Sequence, residues 1–424
     1  MLQHLRLENV GPASTLEMEL APRLNVITGD NGLGKSFLLD VAWWALTRTW
    51  TGNIAMPRQS AKSPAKISSG FHTKTKTINF DSSFDRKLQS WSAKKGRPSI
   101  PGLVLYAQVD GAFAVWDPAR NYWTAPTVAG TKPRPSAYQF APQQVWDGIS
   151  DDGTTLCNGL IRDWATWQKE NGKPFQLLKA ALKGMSPSDD EPLTPGELTR
   201  ISLDDVRDMP TLNLGYAGDV PIVHASAGIR RIVALVYLLV WTWEEHCRAA
   251  KLLGDDPTRQ IIFLIDELDT HLHPRWQRKV LSSLLEVVND LITGGTVEIQ
   301  ILAATHSPLV MAYIEPLFDD EKDAVWHLNL NKHKVTLTKE PWAKRGDVHD
   351  WLVSPIFGLR QARSIEAERA IEAAEAFMRD DLNALPKDLQ TKAKIHAELV
   401  QQLPGHDAFW PRWIVSTQTK ATHK

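Results

Sequence analysis

Residues 29–36 read Gly-Asp-Asn-Gly-Leu-Gly-Lys-Ser and fit the pattern G-x-x-x-x-G-K-S. The glycines let backbone N–H groups curl around phosphate oxygens, and the start of a following helix adds its partial positive charge. The Lys35 ammonium can reach the terminal phosphates of a nucleoside triphosphate, and the Ser36 hydroxyl can be a ligand of Mg²⁺. The sequence therefore predicts a phosphate-binding loop. The residues expected to contact the nucleotide there are Asn31, Gly32, Gly34, Lys35, Ser36 and Phe37.

Two acidic residues follow a run of five apolar residues in the second half of the chain. Residues 261–265 read Ile-Ile-Phe-Leu-Ile and predict a strand buried on both faces, and Asp266 and Glu267 come directly after it. We expect Asp266 to hold Mg²⁺ opposite Ser36 and Glu267 to polarise an attacking water molecule. An isolated Asp-Glu pair would mean little, but this pair belongs to a chain with a phosphate loop.

A histidine follows the next apolar run. The run covers residues 297–304, and Thr305 and His306 come directly after it. A lone histidine is more often a core or capping residue than a functional group. Open α/β sheets bind ligands at the carboxyl ends of their parallel strands, so the phosphate loop, Asp266 and His306 are expected at one edge. There, His306 could hydrogen-bond the γ-phosphate or the attacking water.

A fourth candidate site is a run of small residues at the start of a helix. Ser226 and Gly228 follow the strand-like residues 220–224 and precede the apolar residues 232–243. Free N–H groups, a hydroxyl and the positive end of the helix dipole together suit an anion. Serine is also a common helix N-cap, so this run alone is a weak signal.

The elements that must position these residues can be predicted from periodicity. Residues 2–9 and 15–20 alternate and predict an antiparallel strand pair, and residues 24–28 and 37–49 predict the strand and the helix that flank the phosphate loop. The fold class is therefore α/β, with a mixed sheet and flanking helices. Further predicted elements are strands at 76–80 and 103–116, mostly helices at 144–212, a hairpin at 323–339 with its turn near Asn331-Lys332, and helices at 362–382 and 386–402.

Composition excludes few classes of function. The 424 residues carry 48 Lys and Arg against 49 Asp and Glu, so overall charge does not argue for or against a nucleic-acid ligand. Cys157 and Cys247 lack metal-like spacing and suit a reducing compartment. The first six residues do not resemble a secretion signal, and residues 232–243 are too few to span a bilayer. We expect a soluble cytoplasmic protein with no membrane partner.

The most basic part of the chain lies between residues 58 and 97. Residues 51–75 are rich in Ser, Lys, Pro and Gly and predict a loop. A solvated loop and a contact to DNA, RNA or a protein partner both remain open. The basic residues are Arg58, Lys62, Lys66, Lys74, Lys76, Arg86, Lys87, Lys94, Lys95 and Arg97.

The order of these motifs resembles the ABC-type ATPase heads of the SMC, RecF and OLD relatives. Residues 29–36 resemble the Walker A motif, and residues 262–267 resemble Walker B with its catalytic glutamate. Residues 226–228 stand where the family has a Ser-Gly-Gly signature, with Ala in place of the middle Gly, and His306 resembles the switch histidine. The resemblance implies ATP and Mg²⁺ as cofactors, ATP hydrolysis, and dimers in which ATP lies between one Walker A loop and the partner's signature serine.

Residues 266–274 most resemble the ATPases of bacterial anti-phage systems, including the retron and Septu types, and residues 403–413 add to this. The resemblance implies a homodimer or higher oligomer that gates an effector nuclease such as an HNH protein. The alternative is a RecF- or SMC-like DNA-binding clamp in DNA repair. The motifs fit two further classes less well, an AAA+ motor and a non-hydrolysing scaffold. An AAA+ motor needs a sensor Asn and an arginine finger in a separate lid, and a non-hydrolysing scaffold would be expected to lack Glu267.

The resemblance also predicts a domain organisation. Residues 1–50 and 215–340 would form two halves of one ATPase head, and residues 51–214 an insertion with antiparallel strands, a basic loop and a helical subdomain. Residues 341–424 would be a helical region, for which two alternatives stay open: it docks a partner through exposed aromatic residues, Trp410 and Trp413, or it packs on the head.

The chain departs from the family pattern at several points. His273 stands where ABC transporters have the D-loop aspartate, and no Asp-x-Asp cluster of an OLD-type nuclease follows His306. Any nuclease activity would then come from a partner chain. The Q-loop residue could be any of Gln108, Gln139 and Gln143.

Overall fold

The computed structural model describes residues 1–59, 63–72, 77–92, 102–121, 135–291 and 297–419. Its contacts divide the chain into two compact units, Met1–Gly346 and Asp347–Lys424.

Most strands of the first unit belong to two large sheets. The strands are β1 (Leu2–Glu8), β2 (Thr15–Glu19), β3 (Leu24–Gly29), β4 (Lys66–His72), β5 (Thr77–Asp85), β6 (Ser90–Trp91), β7 (Leu103–Ala107), β8 (Phe113–Trp116), β9 (Tyr138–Phe140), β10 (Ile149–Asp151), β11 (Thr154–Cys157), β12 (Thr194–Pro195), β13 (Thr211–Leu214), β14 (Gly218–Pro221), β15 (Gln260–Ile265), β16 (Glu298–Ala304), β17 (Asp323–Asn331) and β18 (Lys334–Glu340).

The helices of the first unit include the two that flank the predicted site. They are α1 (Lys35–Thr47), α2 (Pro142–Asp147), α3 (Leu160–Glu170), α4 (Lys173–Gly184), α5 (Ala227–Leu253), α6 (Pro274–Gln277), α7 (Val280–Leu291) and α8 (Pro308–Ile314), with a 3-10 turn at Ile222–His224.

The main sheet has eight strands in the order β18-β17-β3-β16-β15-β7-β8-β9. The five strands from β17 to β7 are parallel, and the outer pairs are antiparallel. Ile265 of β15 pairs with Ala107 of β7 and with Ala303 of β16, and Ala304 pairs with Ile27 of β3. The carboxyl ends of these strands therefore lie at one edge. The predicted α/β class with a mixed sheet and flanking helices is confirmed.

A second sheet has the order β2-β1-β4-β5-β6. The predicted antiparallel pair is confirmed as β1 and β2. The prediction of a loop at residues 51–75 is wrong for its last part, because residues 66–72 form β4, which pairs with β1. Ile67, Ser69 and Phe71 are buried at alternate positions of β4, and the Ser- and Lys-rich composition of the segment hid this short pattern. Strands β4 and β5 thus extend the sheet of the N-terminal strands.

The central helix of the first unit is α5, which has 27 residues. Residues 232–243 lie inside it and are buried, in agreement with the predicted core helix. Within the described part of the chain, no helix combines the length and the apolar character that crossing a bilayer requires.

Residues 144–212 are less helical than expected. Three helices, α2 to α4, alternate with the β10-β11 pair and with a small sheet of order β12-β13-β14. These strands have two to four residues each, too short for an alternating pattern to be visible in the sequence. The hairpin predicted at residues 323–339 is confirmed as β17 and β18.

The second unit is helical and has its own core. Its helices are α9 (Val348–Leu352), α10 (Ile365–Met378), α11 (Lys392–Gln402) and α12 (Phe409–Thr419), with a 3-10 turn at Leu382–Ala384. The predicted apolar stripe of α10 is buried at Ala367, Ala370, Ile371 and Ala374. Small side chains let α11 and α12 approach closely.

One aromatic residue of this unit differs from expectation. Trp413, predicted to be exposed, is 1% exposed and donates from Nε1 to His396 Nδ1 at 3.1 Å. It packs beside Phe377 of α10, and Trp410 is partly buried. A tryptophan near the end of a chain can be either a docking residue or a core residue, and only the packing of α10 decides between them.

Candidate nucleotide site

The phosphate loop joins the buried strand β3 to α1, as its sequence predicts. Gly29, Gly32 and Gly34 all have positive φ, of 133°, 79° and 104°. A Cβ atom at Gly29 would lie 2.3 Å from the Leu328 carbonyl oxygen, so a larger residue cannot keep this loop beside β17. The loop therefore turns back on itself with its backbone free to face a ligand.

Lys35 is the first residue of α1, and its side chain reaches back into the loop. Its Nζ donates to the carbonyl oxygens of Gly29 at 2.8 Å and Asp30 at 3.0 Å. Burial lowers the pKa of Lys35, while the nearby carboxylates of Glu267 and Asp266 act in the opposite direction. The loop carbonyls are weak partners for a buried ammonium, so a phosphate could replace them.

The neighbouring residues of the loop have different surroundings. Asn31, Gly32 and Ser36 are exposed to solvent. The ring of Phe37 packs against Gly11, where a Cβ atom would lie 2.3 Å from Cε1. The part of Phe37 that we expect to contact a nucleotide is therefore its backbone.

Asp266 leaves β15 beside this loop. Its backbone N–H donates to Ala107 O at 2.9 Å, and the residue is 2% exposed. Oδ1 is buried and has no hydrogen-bond partner among the described residues. Burial raises the pKa of the carboxyl, and a hydrogen bond from Ser36 lowers it. A buried carboxylate oxygen without a partner, beside a hydroxyl, fits the all-oxygen coordination of Mg²⁺.

Glu267 is the next residue and has a left-handed backbone, with φ 44°. This conformation is uncommon for a residue with a side chain, so neighbouring contacts must hold it. The Thr270 hydroxyl donates to Glu267 Oε2 at 2.7 Å, and Thr270 N–H donates to the Glu267 carbonyl oxygen at 3.0 Å. One of these bonds fixes the side chain of Glu267 and the other fixes its main chain, so together they orient the carboxylate.

His306 follows β16 and is partly buried. Its backbone N–H donates to Asp269 Oδ1 at 3.2 Å, and the same oxygen accepts from the Thr305 hydroxyl. Nε2 of the ring is buried without a hydrogen-bond partner in the described part of the chain. Burial lowers the pKa of His306, and the Lys35 charge lowers it further. A neutral ring with a free nitrogen is thus held beside the carboxylates.

Ser226 and Gly228 lie at the start of α5, as the sequence predicts. Ser226 is exposed, and its Oγ accepts from Ile229 N–H at 3.4 Å as a helix N-cap. A Cβ atom on Gly228 would lie 2.7 Å from the His271 carbonyl oxygen, so glycine permits close approach to the turn after Glu267. No described contact joins Ser226 to the phosphate loop of the same copy.

Ser226 opens instead onto a cleft of about 750 Å³. His273, which stands at the D-loop position, lines the same cleft and caps α6 by accepting from Arg275 N–H at 3.3 Å. The structure thus brings together Lys35, Asp266, Glu267 and His306, and places Ser226 on a separate surface.

Three residues of the site carried no role in the sequence analysis. Asp269 links the turn after Asp266 to the segment that holds His306. Thr270 orients Glu267. Arg231 donates to backbone carbonyls of the acidic turn, Asp266 and Glu267. Asp269 and Thr270 lie two and three residues after Glu267, in the segment that resembles the anti-phage ATPases. This closeness in sequence was the signal that could have identified them. Nothing local distinguishes Arg231 from Arg230.

The three candidate glutamines lie in different places. Gln108 follows β7 at the carboxyl edge and lines a cavity of about 320 Å³ beside Arg231. Gln139 donates to Trp50 O at 2.6 Å, and Gln143 is bonded to Asp147.

The basic region is described only in part. Arg58 donates to Pro12 O at 3.2 Å, and Lys66 pairs with Asp81 at 3.1 Å. Arg86 and Lys87 are exposed. Six residues of the predicted patch lie outside the described part of the chain: Lys62, Lys74, Lys76, Lys94, Lys95 and Arg97.

The chain is similar in sequence to two named bacterial proteins. "Septu protein PtuA" of Bacillus thuringiensis is 22% identical over 73% of this chain and 72% of its own length. "Retron Ec83 probable ATPase" of Escherichia coli is 27% identical over 39% of this chain, and the match spans 26% of that protein. Matches to both confirm the predicted resemblance to Septu and retron relatives.

A solved structure, "SMC head domain from Thermotoga maritima", aligns with 80% of this chain and 99% of its own, with a TM-score of 0.40 and 13% identity. The family model described as "AAA domain, putative AbiEii toxin, Type IV TA system" matches residues 24–312, which include every predicted site residue. Since this match covers more than half of the 424 residues, the chain belongs to that AAA-domain family.

Proposed function

We propose that the protein binds ATP with Mg²⁺ and hydrolyses it between two copies that face each other, and that this cycle gates a partner effector in anti-phage defence. The observation that carries the ATPase part is a pair of buried polar atoms, Asp266 Oδ1 and His306 Nε2, that have no hydrogen-bond partner among the residues that the structure describes. Both belong to residues whose pKa values respond to the Lys35 charge. Such atoms are costly unless a ligand completes them.

The chemical roles follow from this arrangement. Lys35 exchanges its loop carbonyls for the β- and γ-phosphates, and Ser36 and Asp266 would hold Mg²⁺. The metal, when bound, neutralises charge on the phosphate oxygens. Glu267 accepts a proton from water as the water oxygen bonds to the γ-phosphorus and the bond to the ADP oxygen breaks. His306, neutral because its pKa is lowered, donates or accepts one hydrogen bond at the γ-phosphate.

The dimer is supported by the position of Ser226. Its hydroxyl and the N-terminal end of α5 are an anion-binding arrangement that faces solvent rather than its own phosphate loop. A triphosphate on a second copy would complete it. Nucleotide would then stabilise the closed dimer, and hydrolysis would remove the charge that holds it.

The biological role rests on the relatives. One is named a retron ATPase and another a Septu protein, and the chain matches only part of each. We propose that opening and closing of the dimer in the cytoplasm controls an effector nuclease such as an HNH protein. Residues 341–424 are the proposed docking region. In this proposal, residues 1–50 and 215–340 supply the ATPase head, and Gln108 is the Q-loop residue because it shares the carboxyl edge with Asp266.

The substitution Glu267→Gln tests the proposal. It keeps the size of the side chain but removes the base, so ATP turnover should fall about 10²- to 10⁴-fold while ATP binding is retained. Dimers should then persist with ATP, as measured by light scattering. In cells that express the gene with its genomic neighbours, protection against phage should be lost.

The matched control is Glu286→Gln, an exposed glutamate on α7. It should turn over ATP at the native rate. Native turnover in Glu267→Gln itself would show that another group is the base. If the variant with bound ATP is a monomer, the proposed dimer is wrong.

A further inference from the structure

Arg231 has an unusual set of partners for a largely buried guanidinium. Its Nη2 donates to the carbonyl oxygens of Asp266 at 2.8 Å and Glu267 at 3.0 Å. Its Nη1 donates to Val109 O at 3.0 Å, in the loop after β7. Every one of these acceptors is a backbone carbonyl, and burial lowers the pKa of Arg231. A buried arginine ordinarily pairs with a carboxylate, so this one is placed to hold backbone.

The backbone that Arg231 holds is the left-handed turn of the catalytic carboxylate. One nitrogen bonds the carbonyls of Asp266 and Glu267, which are the two sides of the Glu267 residue. Glu267 has φ 44°, a conformation that relaxes unless it is held. Thr270 holds the side chain of Glu267 and Arg231 holds its main chain. The aim of the carboxylate therefore depends on where the guanidinium lies.

The position of the guanidinium is set by the start of α5. Arg231 follows Ser226, the N-cap of that helix, by five residues, so the two are about 7 Å apart along the helix axis. Gly228, between them, lies against the His271 carbonyl. Because Arg231 belongs to the helix that Ser226 caps, a displacement of the helix start would also move the guanidinium that holds the Glu267 backbone.

We infer that Arg231 is a positioning residue that reports nucleotide contact at Ser226 to Glu267 of the same copy. This rests on the proposed function, in which Ser226 binds the triphosphate of a second copy. Each active site then becomes fully competent only when the opposite site is occupied. ATP turnover is consequently cooperative in ATP, and Arg231 is the link.

The surroundings of Arg231 provide a specific experiment. The side chain lines a cavity of about 320 Å³, together with Gln108, Asp110 and His271. In the full-length variant Arg231→Ala this cavity grows by the volume of the lost side chain. Added methylguanidinium can enter the space and restore donors to the same carbonyls.

We expect Arg231→Ala to lower kcat about 10- to 100-fold through misplacement of Glu267. Affinity for a fluorescent ATP analogue should stay within about threefold, because Lys35 and Ser36 are untouched. The Hill coefficient for ATP should fall to one. Millimolar methylguanidinium should raise kcat of the variant and leave the native enzyme unchanged, which a merely structural role would not produce. Arg231→Lys should retain part of the rate.

The control is Arg248→Ala on the same helix, where an exposed arginine pairs with Glu245 at 2.9 Å. It should keep the native kcat and Hill coefficient. A native rate in Arg231→Ala overturns this inference but not the proposed function. The same holds if the variant loses rate and ATP affinity together and methylguanidinium does not restore the rate. If Arg231→Ala does not fold, an unchanged Hill coefficient in Arg231→Lys overturns it. A native chain that does not hydrolyse ATP overturns the proposed function itself.

Discussion

At the scale of single residues, the site is defined by polar atoms that lack partners and by neighbours that hold those atoms in place. Asp266 Oδ1 and His306 Nε2 are buried without partners in the described chain. Asp269 and Thr270 hold the backbone of His306 and the side chain of Glu267, the two groups that we propose to contact the nucleotide. Precise placement of this kind contributes to rate more than to affinity.

Thr270→Val tests the holding of Glu267. The substitution keeps the shape of the side chain and removes the hydroxyl that donates to Oε2 at 2.7 Å. Since one hydrogen bond to a charged group is lost, kcat should fall about tenfold with little change in KM. Steady-state phosphate release measures both constants. Thr336→Val, at an exposed position of β18, should match the native enzyme. Equal rates in the two variants would show that Thr270 does not orient the base.

At the scale of elements, α1 carries an acidic residue behind the phosphate loop. Asp40 accepts from the Tyr106 hydroxyl at 3.0 Å, and burial raises the pKa of Asp40 to about 6. The folded chain then binds this proton more tightly than the unfolded chain, for which the value is 3.8. Stability must fall as pH rises from about 4 to about 6, because the folded state keeps the proton longer.

Asp40→Asn should remove this fall, because the amide cannot ionise and its oxygen still accepts from Tyr106. At pH 7 the variant should be about 1–3 kcal/mol more stable than the native chain, and at pH 4 about equal to it. Urea unfolding at the two pH values measures the difference. Asp290→Asn on α7, at an exposed position, serves as the control. Parallel pH dependence in the native chain and Asp40→Asn would contradict the assignment.

At the scale of the whole molecule, the separation of Ser226 from its own phosphate loop predicts complementation between two inactive variants. Lys35→Ala removes the lysine that binds phosphate, and Ser226→Arg blocks the signature surface. Each alone should be inactive. In a mixed dimer, one site combines both defects and the other has an intact Lys35 and an intact Ser226.

Equal mixing of the two variants after dissociation should therefore restore turnover to at most about a quarter of the native rate, because about half of the dimers are mixed and each has one intact site. If Arg231 links the two sites, recovery stays below this ceiling, because the opposite site of a mixed dimer is empty. A mixture of Lys35→Ala with Asp266→Asn, which both damage the same half of the site, is the matched control and should stay inactive. Turnover no higher in the first mixture than in the control mixture would mean that each copy works alone.

Local sequence was sufficient to predict the turn at residues 29–36 and the buried strand that precedes Asp266. A glycine pattern dictates the backbone of residues 29–36, and an unbroken apolar run dictates a buried strand before Asp266. Both patterns span only a few residues, so they predict local structure without knowledge of the rest of the chain. His306 and Ser226 were predicted as site residues in the same way, and the structure places them at a strand end and at a helix start.

Tertiary structure alone decided which distant groups meet. Arg231 reaches acceptors 35 and 122 residues away, and Asp269 meets Thr305 across 36 residues. It also places Gln108 beside the cavity that Arg231 lines and buries Trp413 against α10. These contacts depend on strand order and helix packing, which no local pattern encodes, because the same residue types satisfy many alternative neighbours until the sheet is assembled.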